Sequence, residues 1–158
     1  MNTIDKHYIT IQFKLQIYEK NGTEFQSFFE SIMKKSFPDF QTIRPYGNKG
    51  DGGNDGYIKT SGIYYQVYSP LTPKINESKA AKKLKEDFYK LKDIWDKISQ
   101  INEYNFVFND KYNGSTQELE KTITELKKNN PNIEFKLLLA QDLENILLKY
   151  YEGKKVTI

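Results

Sequence analysis

The sequence has no cysteine, and one histidine (His7), one arginine (Arg44) and one tryptophan in 158 residues. Without cysteine there is neither a structural disulfide nor a thiolate metal site. A lone histidine leaves no basis for a zinc centre or a Ser-His-Asp triad. Any bound metal must then be a hard cation held by oxygen ligands, Mg²⁺ or Mn²⁺ by type. No long apolar run and no signal-peptide pattern occurs, so the expectation is a soluble cytoplasmic protein with no membrane contact. Charge of one sign is also scarce: 24 basic against 21 acidic residues leave a net charge of +3. That balance permits nucleic-acid contact through a local patch without requiring it.

Aromatic residues are plentiful, with 12 Tyr and 10 Phe. A chain of this length buries roughly two thirds of its surface, and its size favours a single domain over residues 1–158. No repeat of fixed period and no low-complexity linker interrupts it.

Apolar residues alternate from Ile9 to Tyr18. Period two argues for a strand, although the intervening Gln and Lys are good helix formers. Thr23 reads as the cap of a helix running to Ser36. Short strands follow at Phe40–Arg44, Asp55–Lys59 and Ile63–Tyr68, with a turn at Ser61-Gly62, which together read as an antiparallel meander. A long helix is predicted from Glu77 to Gln100, with Leu84, Phe88, Leu91, Trp95 and Ile98 as its core stripe. Strand Tyr104–Phe108, a capping box at Ser115–Glu118 opening a helix to Asn129, strand Ile133–Leu139 and helix Gln141–Tyr151 complete the chain. Strands joined through helices pair in parallel, so the prediction is an α/β fold: a mixed sheet with helices on both faces.

Six of the nine glycines fall between Gly47 and Gly62, in and after the stretch RPYGNKGDGGNDGY. It fails as a P-loop, because Gly-Lys-Ser/Thr is missing, and as an EF-hand, because Gly53 and Gly62 stand where oxygen ligands are needed. Asp51 and Asp55 remain as candidate acids. Gly52, Gly53 and Gly56 around them read as room for a metal or a phosphate backbone. Asp55 stands where loop becomes strand, and a turn at Ser61-Gly62 brings Gln66 opposite, where its carbonyl oxygen could face the same cation. Read blandly, Asp55 caps a turn and Gln66 fills a half-buried strand position.

The segment GDGGNDGYI…YYQVYS, preceded by GTEFQSFFESIM, resembles the PD-(D/E)XK restriction-endonuclease-like superfamily, and within it the Mrr-like branch. The resemblance implies a restriction-endonuclease-like α-β-β-β-α-β core, here Thr23 to Phe108, with an additional C-terminal α-β-α. It implies Asp55 and Gln66 as the metal-facing pair, with Mg²⁺ or Mn²⁺ as cofactor. Gln26 falls at the helix position of the branch's glutamate, and Glu24 or Glu30 is a nearby substitute. The motif lysine should stand two residues after Gln66, but that residue is Tyr68, which cannot supply a charge. Lys79, Lys82 and Lys83, at the start of the long helix, are the candidates for a relocated lysine. The resemblance implies DNA as partner, with Arg44, Lys49 and Lys74 as candidate phosphate contacts. For most lysines of the long helix the plainer reading is a solvated face.

YYQVYSP, with FNDKYNG, is also similar to modules of multi-component bacterial anti-phage systems, ABC three-component systems among them. That likeness implies an ATPase or other defence-system subunit as partner. A small nuclease that cuts both strands implies a homodimer. The resemblance implies a metal-dependent DNA endonuclease or a catalytically inactive module of the same fold that binds DNA or a partner protein; a structural or interaction domain with no nucleic-acid role is the third reading.

Overall fold

In the computed structural model, residues 1–45, 52–70 and 77–156 are described. Five α-helices and a five-stranded mixed sheet follow the predicted order. They are α1 (Thr3–Glu19), α2 (Gly22–Ser36), β1 (Gln41–Thr42), β2 (Gly56–Ile58), β3 (Ile63–Tyr68), α3 (Glu77–Trp95), β4 (Glu103–Phe108), α4 (Gln117–Asn129), β5 (Glu134–Leu138) and α5 (Ala140–Val156). A short 3₁₀ turn, Lys59–Ser61, joins β2 to β3. None of the described helices is long and apolar enough to cross a membrane.

The strands lie in sequence order, β1 to β5. The first three are antiparallel, as a meander requires, and β3, β4 and β5 are parallel. Parallel pairing needs crossovers, which α3 and α4 supply. The pleat then sorts the core. Tyr57, Tyr64, Tyr104, Phe106, Phe108 and Phe135 face α3 and α4. Ile58, Tyr65 and Val107 face α1, α2 and α5. Strand β4 is buried on both faces, from Tyr104 to Phe108.

Helix α1 decides Ile9–Tyr18, left open between strand and helix by its sequence, in favour of the helix. At ~100° per residue, Ile9, Phe13 and Ile17 share one face, while Ile11 and Leu15 share the opposite one. Two apolar stripes, each of period four and offset by two residues, together look like period two. Phe13 and Ile17 are buried, whereas Ile11 and Leu15 are exposed. Asn109, buried beyond β4, donates its side-chain amide to the carbonyls of Ile17 and Lys20 and so terminates α1.

Three boundaries also move. Asn21, rather than Thr23, precedes α2, and Thr23 lies in its first turn. Thr116 caps α4 by accepting from Leu119 N–H, one residue later than the predicted box. Helix α3 stops at Trp95, short of Gln100, because the Asp96 carboxylate accepts the Ile101 N–H and turns the chain toward β4. Ile98, placed in the core stripe by its spacing, is therefore 56% exposed.

Gly56 shows how tightly β1 and β2 are packed. A Cβ there would overlap the Phe40 ring. That ring is fixed edge-on against Phe29 and Tyr65, at centroid distances of 6.0 and 5.6 Å. Gly56→Ala is expected to lower unfolding stability by about 1–3 kcal/mol, the usual cost of overpacking. A urea titration checks this, and an unchanged midpoint would mean that Phe40 swings away freely.

Candidate functional site

Strand β2 ends one pair short of β3. Gly56 pairs with Tyr65, so two residues further on the Val67 N–H has no strand partner. The Asp55 carboxylate takes its place: Oδ2 accepts the Val67 N–H at 2.7 Å. Its other oxygen, Oδ1, accepts the Gln26 side-chain amide of α2 at 3.2 Å, and the Asp55 N–H donates to the Tyr65 carbonyl at 2.9 Å. Asp55 is thus held by three hydrogen bonds to two elements, β3 and α2, and is only 4% exposed. Gln26 donates as well to Glu30 Oε1, at 3.3 Å.

The residue beside Asp55 in the ladder is Gln66. It is 7% exposed, and its Oε1 is buried with no hydrogen-bond partner among the described residues. An amide oxygen buried this way is costly unless something accepts its lone pairs. Gln66 shares the α3 face of the sheet with Tyr64 and Tyr68. The Tyr104 hydroxyl, one strand over on that same face, is also buried without a hydrogen-bond partner. Burial pushes it well above the ordinary tyrosine range, and the negative charges of Asp87 and Asp55 push it further.

Asp87 comes from α3. It is 5% exposed and forms an ion pair with Lys83 one turn earlier, at 2.9 Å. Gly53, at φ +75°, sits so close to this turn that a Cβ would lie 2.7 Å from the Asp87 carbonyl oxygen. A side chain there would be both strained and obstructed. The glycines Gly52, Gly53 and Gly56 were expected to leave open space. They are instead buried packing positions: Gly52 against Ile94 and Trp95, Gly53 against the α3 backbone, and Gly56 against Phe40.

Tyr68 holds the position of the expected lysine. Its ring stacks on Phe106 and Phe108, with centroids 5.9 and 5.8 Å away. Burial raises its pKa above the ordinary value, and the Lys83 ammonium acts in the opposite direction. Lys83 therefore lies within electrostatic reach of the Tyr68 hydroxyl while paired to Asp87.

The other sequence candidates divide clearly. Lys82 is a surface residue in an i,i+4 pair with Glu86 at 3.8 Å, their side chains 76% and 60% exposed, so it is not the site lysine. Lys79, one turn before Lys83 on the same side of α3, is exposed. Glu24 is exposed on the first turn of α2, about half a turn round the helix from Gln26, and so does not share its approach to Asp55. Glu30 is the carboxylate that does, through Gln26. Arg44 is exposed just after β1. Lys49, Lys74 and Asp51 lie outside the described residues.

Among the described residues, no three His, Cys, Asp or Glu side chains gather as a metal-binding group. A cation bound here would need the Gln66 carbonyl oxygen beside at most two carboxylates. Such an all-oxygen set suits a hard ion and gives zinc nothing soft to bind. Sequence reasoning missed Asp87 and Tyr104. Compared with models of protein families, with curated proteins and with solved structures, the chain finds no match in any of the three.

The buried phenols give this region a pH signature. Tyr64, Tyr65, Tyr68, Tyr104 and Tyr112 all have raised pKa values, with burial the largest cause in each. In the unfolded chain these phenols ionise near 10, whereas in the folded protein they stay protonated. Above that pH the unfolded state binds fewer protons, so stability is full below pH ~10 and falls as pH rises further. Urea midpoints should hold steady from neutral pH to about 9.5 and then drop. Tyrosinate absorbance should rise in two phases, the later one together with unfolding. A single phase near the ordinary pKa would contradict the burial of these hydroxyls.

Proposed function

We propose that this chain is a metal-dependent DNA endonuclease of PD-(D/E)XK type, acting as a bacterial anti-phage defence effector. One observation carries the reading. Asp55 is fixed against the end of β3 by the Gln26 amide and the Val67 N–H, and on that same strand the Gln66 Oε1 is buried with no hydrogen-bond partner among the described residues. The order from α2 through β4 also agrees with the restriction-endonuclease-like core that the motifs imply.

Asp55, oriented by Gln26 and the Val67 N–H, and Gln66 through its unpartnered Oε1 would hold Mg²⁺ or Mn²⁺. The bound ion would polarise a phosphodiester and lower the pKa of a water molecule. Lys83 would stabilise the charge that develops on the phosphate oxygens, with Asp87 fixing its ammonium. Tyr68, held neutral, supplies no charge. Arg44, exposed after β1, is suited to backbone phosphate contact.

A specific feature favours the second reading, an inactive module that binds DNA or a protein partner such as the ATPase of a defence complex. Both Asp55 oxygens already accept hydrogen bonds from the protein, and Tyr68 is locked in an aromatic stack.

Cleavage of a DNA duplex with Mg²⁺ or Mn²⁺ separates the two. The nuclease reading predicts cutting by the wild type, a loss of about 10²-fold or more for Lys83→Ala, and near-complete loss for Asp55→Asn. Because Lys83 is the counter-ion of the buried Asp87, circular dichroism must show Lys83→Ala folded before its loss of cutting is counted. If the wild type and Asp55→Asn behave alike, the nuclease reading fails. Salt-dependent DNA binding that ignores both metal and Asp55→Asn would establish the second reading.

A further inference from the structure

Helix α1 carries a second apolar face that stays largely exposed, although at its C-terminal end the Tyr18 ring meets the Tyr112 ring at 5.9 Å. Ile4, Tyr8, Ile11, Leu15 and Tyr18 are 80%, 64%, 44%, 47% and 54% exposed. Their spacings are four, three, four and three, a strict heptad seam. The stripe lies opposite the face that buries Phe13 and Ile17, so it belongs to no internal contact of the sheet. Five such side chains present roughly 500 Å² of largely apolar surface, at the upper end of what a monomer leaves in one patch.

We propose that this seam is a self-association surface: two copies of the chain pair their α1 helices in parallel about a two-fold axis. The proposal does not depend on the nuclease reading. Register supports a parallel pair. Aligned in parallel, all five layers meet their own copies, Ile4 on Ile4 through Tyr18 on Tyr18. An antiparallel pair keeps the seam in step only by leaving one end layer without a partner.

Charge supports the same choice. With Tyr8 and Leu15 at the a positions and Ile4, Ile11 and Tyr18 at d, the flanking g and e positions include Lys14 and Glu19. In a parallel pair, Lys14 of each copy faces Glu19 of the other. Antiparallel pairing offers no such match: one register brings Asp5 toward Glu19 and Lys14 toward Lys14, and the other sets Lys14 against His7 and Asp5 against Gln12. Size supports it too, because two such faces together bury about 1,000 Å², the threshold of a specific interface. The tyrosines favour two strands over a larger bundle. In a pair their hydroxyls reach water at the edge of the seam, whereas in a larger bundle they would be buried.

Sedimentation velocity over a concentration series tests this, and the absence of native cysteine allows a second probe. The wild type should pass from monomer to dimer by about 100 µM, as befits a seam of only two and a half heptads. Leu15→Lys, an exposed substitution whose circular dichroism should be unchanged, should weaken dimerisation at least tenfold. Tyr18→Cys should form a disulfide between copies under mild oxidation, because only parallel pairing brings the two positions together. A monomer at every concentration, a dimer indifferent to Leu15→Lys, or a dimer without the Tyr18→Cys cross-link would each overturn the proposal.

Discussion

The Asp55 carboxylate is the contact on which the site depends. Strand β2 is three residues long and leaves the Val67 N–H of β3 unpaired; Asp55 Oδ2 fills that gap, and Oδ1 ties in Gln26 from α2. Hydrogen bonds to an ionised carboxylate contribute about 1.5–3 kcal/mol each, while a buried carboxylate without them would be very costly. The same side chain therefore holds the end of the sheet to a helix. Structure and chemistry cannot be separated at this residue, and for this reason a stability measurement on Asp55 variants alone says nothing about catalysis.

A second set of constraints comes from α3. Asp87 is buried because Ala80, Leu84, Phe88 and Leu91 pack their helix onto the sheet and carry it inward. A carboxylate in that position needs a counter-ion, and Lys83 supplies one at 2.9 Å. The Lys83 charge in turn opposes the rise that burial gives the Tyr68 pKa. Gly53 permits the approach of the loop segment, since any side chain there would press on the Asp87 carbonyl.

Much of the fold was legible because most elements have one buried face. The stripe of α3 has a single period, and the run Tyr104–Phe108 of β4 is apolar and aromatic apart from Asn105. Helix α1 has no single period: its two opposite apolar faces cancel into an apparent alternation, and only the fold distinguishes the covered face from the open one. Within the site, Asp55 and Gln66 could be picked out because a glycine-rich loop runs straight into the strand that carries the acid. Gln26 could be placed only through the likeness to a family helix. Asp87 was hidden among the lysines and acids of α3, where Lys83 and Asp87 look like an ordinary solvated i,i+4 pair. The available signal was angular: on a helical wheel Asp87 lies beside Ala80, about 60° from Leu84, inside the apolar arc. The glycines misled in the other direction. Their number suggested open space, but Gly52, Gly53 and Gly56 are close-contact positions, and that depends on neighbours remote in sequence.

The central claim is that Asp55 and the unpartnered Gln66 oxygen form a hard-cation site. Electron paramagnetic resonance of Mn²⁺ titrated into the protein reads this directly, without reference to any substrate. The account predicts about one bound ion per chain at sub-millimolar free Mn²⁺, with affinity at least tenfold weaker in Gln66→Leu, a substitution that removes the oxygen and keeps a side chain of similar bulk. Binding of the same strength in Gln66→Leu, or no bound Mn²⁺ in the wild type, would contradict it.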